Sequence, residues 1–100
     1  PRVTSEFLRA LGEIHMGLGD WDRARDLLTR SMDLIRAQPE PDNDAITFTA
    51  NRLGTLEQQV GNLTKAEEHL RLADAARLLA GVSAGATQVG SPRSGGAGRP

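Results

Sequence analysis

Residues 11–31 read Leu11-Gly12-Glu13-Ile14-His15-Met16-Gly17-Leu18-Gly19-Asp20-Trp21-Asp22-Arg23-Ala24-Arg25-Asp26-Leu27-Leu28-Thr29-Arg30-Ser31. Two apolar periodicities meet in this stretch. Upstream of the glycines, Val3, Phe7, Leu8, Leu11, Ile14 and Leu18 recur at three- and four-residue steps and mark one face of a helix, with Thr4 or Ser5 as its cap. Downstream, Trp21, Ala24, Leu27, Leu28, Ser31, Leu34 and Ile35 give a second helix its buried stripe. Gly17 and Gly19 tolerate the left-handed backbone that ends a helix, and Asp20 offers a carboxylate to the free amides beyond it. So short a connection lays the two helices antiparallel. A glycine inside a helix costs up to about 1 kcal/mol relative to alanine, so Gly12 points to close approach by a neighbour, with Ala24 at the crossing.

The same pattern returns 42 residues later, where Leu11, Gly12, Gly19, Ala24 and Leu28 become Leu53, Gly54, Gly61, Ala66 and Leu70. Pro39 and Pro41 stop the second helix, because proline lacks an amide and restricts the residue before it, and residues 38–43 form a linker. Asp42 or Asp44 caps a third helix carrying Ile46, Thr49, Leu53, Leu56 and Val60. Gly61 and Asn62 repeat the turn, a fourth helix carries Leu63, Ala66, Leu70, Ala73, Ala76 and Leu79, and Gly81 is its expected stop. The expected architecture is all-α: two hairpins, 3–37 and 43–80, in one unit spanning 1–81. Residues 82–100 have no periodicity and little to bury, so a disordered tail is expected there.

Composition narrows the function. With 38% apolar residues and three aromatics, Phe7, Trp21 and Phe48, burial rests on Leu, Ile and Ala between helices. Twelve basic and 13 acidic residues give a net charge of −1 and are interspersed, so no phosphate-binding stripe forms and no nucleic-acid partner is expected. The absence of cysteine removes disulfides, thiolate metal sites and a cysteine nucleophile, and fits an intracellular, cytoplasmic chain. Without an 18-residue apolar run or a basic-then-apolar leader, neither a membrane span nor a signal peptide is expected.

Candidate chemistry is sparse. His15 and His69 are not equivalent under the 42-residue shift, and neither has a second ligand at zinc-binding spacing, so no metal or other cofactor is expected. Glu67, Glu68 and Asp74 read as a solvated helix face, and Gly17-Leu18-Gly19 lacks the lysine and hydroxyl residue of a phosphate loop. Asn62-Leu63-Thr64 matches a glycosylation sequon at a helix start, where chance accounts for it, and Ser91-Pro92-Arg93 suits a proline-directed kinase. No residue reads as catalytic.

On these residues the chain resembles the tetratricopeptide repeat family. The matches are Leu11-Gly12 and Leu53-Gly54, then Gly19-Asp20-Trp21-Asp22-Arg23-Ala24 and Gly61-Asn62-Leu63-Thr64-Lys65-Ala66, each followed by a large and a small residue. The family period is about 34. The longer period here, with Thr49-Ala50-Asn51-Arg52-Leu53, is similar to the long-helix variety typified by the kinesin light chain. His15 and Glu57 stand in place of the usual aromatic of the first helix, and Leu63 in place of the one at the turn.

The resemblance implies a superhelical scaffold that binds a peptide or partner chain on its concave side. The implied groove residues are Glu6, Arg9, Glu13, Phe48, Asn51, Thr55 and Gln58. Arg9 could pair with a ligand carboxylate, and the Asn51 amide could both donate to and accept from an extended backbone. The family's carboxylate clamp is not expected, because Glu13 stands where it needs asparagine. Two other classes fit the residues: an assembly segment of a longer repeat array without its own groove ligand, and a regulatory appendage of an enzyme or transcription regulator whose other domains lie outside this sequence. Leu70, Leu72, Leu78 and Leu79 give the fourth helix more apolar surface than one hairpin covers, so self-association through it is also expected.

Overall fold

The computed structural model describes residues 2–87. They form four helices, α1 (Arg2–Gly17), α2 (Trp21–Arg36), α3 (Asn43–Gln59) and α4 (Leu63–Thr87). Contacts tie α1 to α2 and α3 to α4 as two hairpins, and α2 packs on α3 to join them. None of these helices is long and apolar enough to cross a membrane.

Both hairpin turns are built alike. Gly19 and Gly61 take φ of +77° and +84°. The Gly19 and Asp20 amides donate to the carbonyls of Met16 (3.0 Å) and His15 (2.9 Å), and those of Gly61 and Asn62 to Gln58 (3.1 Å) and Glu57 (2.8 Å). These pairs of bonds close each helix end around a left-handed glycine, satisfying carbonyls that would otherwise be free. Capping differs in detail from the sequence reading. Asp42 caps α3, its Oδ1 accepting from the Ala45 amide at 3.1 Å. Asp20 makes no side-chain cap bond; its carboxylate instead lies 3.4 Å from His15 Nδ1 and 3.7 Å from Arg23 Nε. Thr4 and Ser5 are inside α1, and Ser5 Oγ donates back to the Arg2 carbonyl at 2.9 Å.

The crossings confirm the reading of Gly12 and Ala24. A Cβ placed on Gly12 would lie 2.8 Å from Leu28 Cγ and 3.4 Å from the Ala24 carbonyl. On Gly54 it would meet Leu70 Cδ2 at 2.8 Å and the Ala66 carbonyl at 3.5 Å. The core continues through Ala24, Leu28, Met32, Ile35, Ile46, Ala50, Leu53, Leu56, Ala73 and Ala76. Ser31 Oγ, fully buried, donates to the Ser5 carbonyl at 2.7 Å, tying α2 to α1.

The apolar stripe of α1 is largely uncovered: Val3, Phe7, Ile14 and Leu18 are 80%, 62%, 57% and 74% exposed, while Leu8 and Leu11 are half-buried. One expectation needs correction. Gly81 does not stop α4, which runs on to Thr87. Gly81 has no positive φ, and the alanines around it (Ala80, Ala84, Ala86) are strong helix formers that work against the helix-weakening Gly81 and Gly85. Residues 82–87 of the expected tail are therefore helical, and residues 88–100 lie outside the described residues.

The seam between hairpins holds an ion pair. Arg25 Nε and Nη2 donate to Glu57 Oε2 and Oε1 at 2.8 and 3.0 Å, a two-pronged contact from α2 to α3. The Glu57 side chain is only 3% exposed. Hydrogen bonding to Arg25 holds its carboxyl below the usual value, outweighing burial, which acts the other way. His69 of α4, whose charged form is disfavoured by burial, faces the same carboxylate.

Two predictions follow from these contacts. Ala24→Leu and Ala66→Leu should each overpack a crossing and destabilise the fold by about 1–3 kcal/mol, read as a lower Tm in calorimetry; a parental Tm in both would refute the crossing. Because the folded Glu57 pKa is depressed, its contribution is present above the unfolded value of about 4.3 and is lost as pH falls through the lower folded value. Glu57→Gln should therefore cost about 1–3 kcal/mol at pH 7. In urea titrations the gap from the parent should narrow below about pH 4.

Candidate functional site

The first halves of α1 and α3 lie side by side, and the end of α2 with the linker closes the space between them. The result is an open groove of about 720 Å³. Its apolar lining comes from Ile35, Pro39, Ala45 and Phe48.

Helical spacing sets the charged side chains. Arg9 and Glu13 are one turn apart on α1 and pair at 2.8 Å. Phe48 and Arg52 are one turn apart on α3. The Arg9 guanidinium lies 4.4 Å from the Phe48 ring centroid and that of Arg52 lies 4.7 Å from it. Each such stack is worth about 0.5–1 kcal/mol at a solvated site. Arg52 Nε also approaches Glu13 Oε1 at 3.8 Å, so one carboxylate serves both arginines. At the start of α1 Arg2 pairs with Glu6 at 3.2 Å, and Glu40, Asp42 and Asp44 line the linker wall. The groove is thus basic and aromatic at its Arg9–Phe48 end and acidic along the linker.

Of the residues implied by resemblance, Glu6, Arg9 and Phe48 line this space together, and Glu13 joins them through Arg9 and Arg52. Asn51, Thr55 and Gln58 do not line it; Asn51 is half-buried and the other two are exposed farther along α3. Sequence reasoning passed over Arg52, although its position four residues after Phe48 was a usable signal, and over the run Glu40, Asp42 and Asp44. Among the described residues no three histidine, cysteine, aspartate or glutamate side chains come together as a metal-binding group. The surface offers stacking, ion pairing and apolar contact to a chain laid along it.

No curated protein and no solved structure gives a significant match to the chain. A family profile does: the tetratricopeptide repeat matches residues 4–80, covering both hairpins. The doubled hairpin, the paired left-handed glycines and this match together place the chain in the tetratricopeptide repeat family.

Proposed function

We propose that the chain is a non-enzymatic scaffold that holds an extended segment of a partner protein in the groove between α1 and α3. Tetratricopeptide repeats mediate protein–protein interactions. The observation that carries the finer reading is the groove itself: about 720 Å³, apolar at Ile35 and Phe48, with charge of both signs at its edges. Apolar lining supplies binding energy, and placed charges fix direction and register. Phe48 stacks with two guanidiniums, so these contacts hold Arg9 and Arg52 in place and little side-chain freedom is lost on binding. An acidic side chain of the partner would lie near these arginines and a basic one near Glu40, Asp42 and Asp44. A cytoplasmic setting suits this role.

A second reading, assembly, rests on exposed apolar residues at both ends of the hairpin stack. On α4 these are Leu78, Leu79 and Val82; Leu72 instead packs half-buried against the core.

Selection of peptides from a random display library against the parent, with counter-selection on Phe48→Ala, tests the groove. Selected peptides should shift amide resonances of α1 and α3 and lose about tenfold or more in affinity on Arg9→Ala or Phe48→Ala, corresponding to about 1.4 kcal/mol or more. Asn51→Ala should matter less. Shifts confined to the outer faces of α2 and α4 would refute this placement.

A further inference from the structure

The 42-residue repeat lets each residue of α1 be compared with its counterpart in α3. Val3, Phe7 and Ile14 correspond to Ala45, Thr49 and Leu56. Thr49 and Leu56 are fully buried and Ala45 is half-buried, whereas Val3, Phe7 and Ile14 are all exposed. The neighbouring residue tells the same story: Glu57 is buried under Arg25 of the other hairpin, and its counterpart His15 is only half-buried, beside Asp20 of its own hairpin. Each helix has its own hairpin partner, α2 for α1 and α4 for α3, reached through the same glycine crossing. The difference is the preceding hairpin, whose second helix, α2, lies on α3 and has no equivalent on α1 among the described residues.

We infer that the outward face of α1, formed by Val3, Phe7, Ala10 and Ile14, is a docking surface for one more helix of the kind α2 provides, supplied by a preceding hairpin. Spacings of four, three and four residues make these side chains one stripe, with small Ala10 at its middle where a second helix can come close. Its occupant continues an interface already present between α2 and α3. A second copy of residues 2–87 does not fit in that way. On α2 the residues facing α3 include Arg25 and, two turns on, Met32; on α4 the corresponding places hold Glu67 and Asp74, both exposed and paired with Arg71 and Arg77. Stacking α4 on the α1 stripe would set these carboxylates against Phe7 and Ile14, at the cost of their solvation.

The test rebuilds the missing junction. A copy of residues 20–42 is placed directly before Pro1, so that Pro1 takes the place of Asn43 at a first helical position that proline suits. In the added copy Arg25→Gln is introduced, because His15 and not Glu57 would face it. A second version adds Met32→Ala to the copy, making room for Phe7, which is larger than Thr49. At least one fusion should melt higher than the 100-residue chain, by on the order of 5 °C or more, with slow amide exchange in the added helix. Phe7→Glu should abolish that gain yet leave the Tm of the 100-residue chain unchanged. If neither fusion gains stability and the added helix exchanges freely, the inference is wrong. It is also overturned if the 100-residue chain sediments as a dimer that Phe7→Glu dissociates, because a second copy would then be the occupant.

Discussion

Two glycines set how close the helices of each hairpin can come, and everything else in the structure depends on that spacing. With Gly12 against Leu28 and Gly54 against Leu70, there is no room at either crossing for even one more carbon. Ala24 and Ala66 complete the crossings from the other side. Close approach allows a chain with three aromatics to make a dense interior from Leu, Ile, Met and Ala, since short side chains fill a narrow gap better than a wide one. It also fixes the two hairpins as near copies, and a stack of near copies presents its first helices along one side. The groove between α1 and α3 is a product of that repetition.

The parts legible in the sequence are those governed by local chemistry. Gly19 and Gly61 could be recognised as turn residues because left-handed backbone strongly favours glycine, and Gly12 stood out because a helix interior otherwise penalises it. What the sequence could not reveal depends on neighbours. Periodicity identifies Val3, Phe7 and Ile14 as one face but does not say whether anything covers it, and nothing within residues 2–87 does. Gly81 resembles a helix stop as closely as Gly61 does, yet its surrounding alanines and the lack of a left-handed φ carry α4 past it. In the groove, Arg9 and Phe48 were expected on the same side, but the pairing of Arg52 with both Phe48 and Glu13 needs the distance between two helices, which no single-helix pattern encodes.

Glu57 shows how a departure from a family pattern can be informative. Where a tetratricopeptide hairpin usually carries an aromatic, this chain buries a carboxylate, and a buried carboxylate without a partner would be costly. The partner comes from the other hairpin: Arg25 reaches across the seam and offers two nitrogens, one to each oxygen of the acid. A position that elsewhere contributes bulk here contributes direction, because a two-pronged contact tolerates sliding and rotation far less than an aromatic ring in an apolar pocket.

That contact also bears on the curvature of the whole. Within each hairpin the glycine crossing leaves no slack, so the angle between hairpins is the remaining freedom, and α2 on α3 is where it resides. In a solenoid a small rotation per repeat accumulates into superhelical pitch. Arg25 and Glu57 pin that joint at one point, beside the apolar packing of α2 on α3. Because Glu57 is shielded from solvent, dissolved salt screens the pin far less than it screens the exposed pairs around it, so this joint should keep its set over a wide range of ionic strength while the rim charges of the groove are weakened.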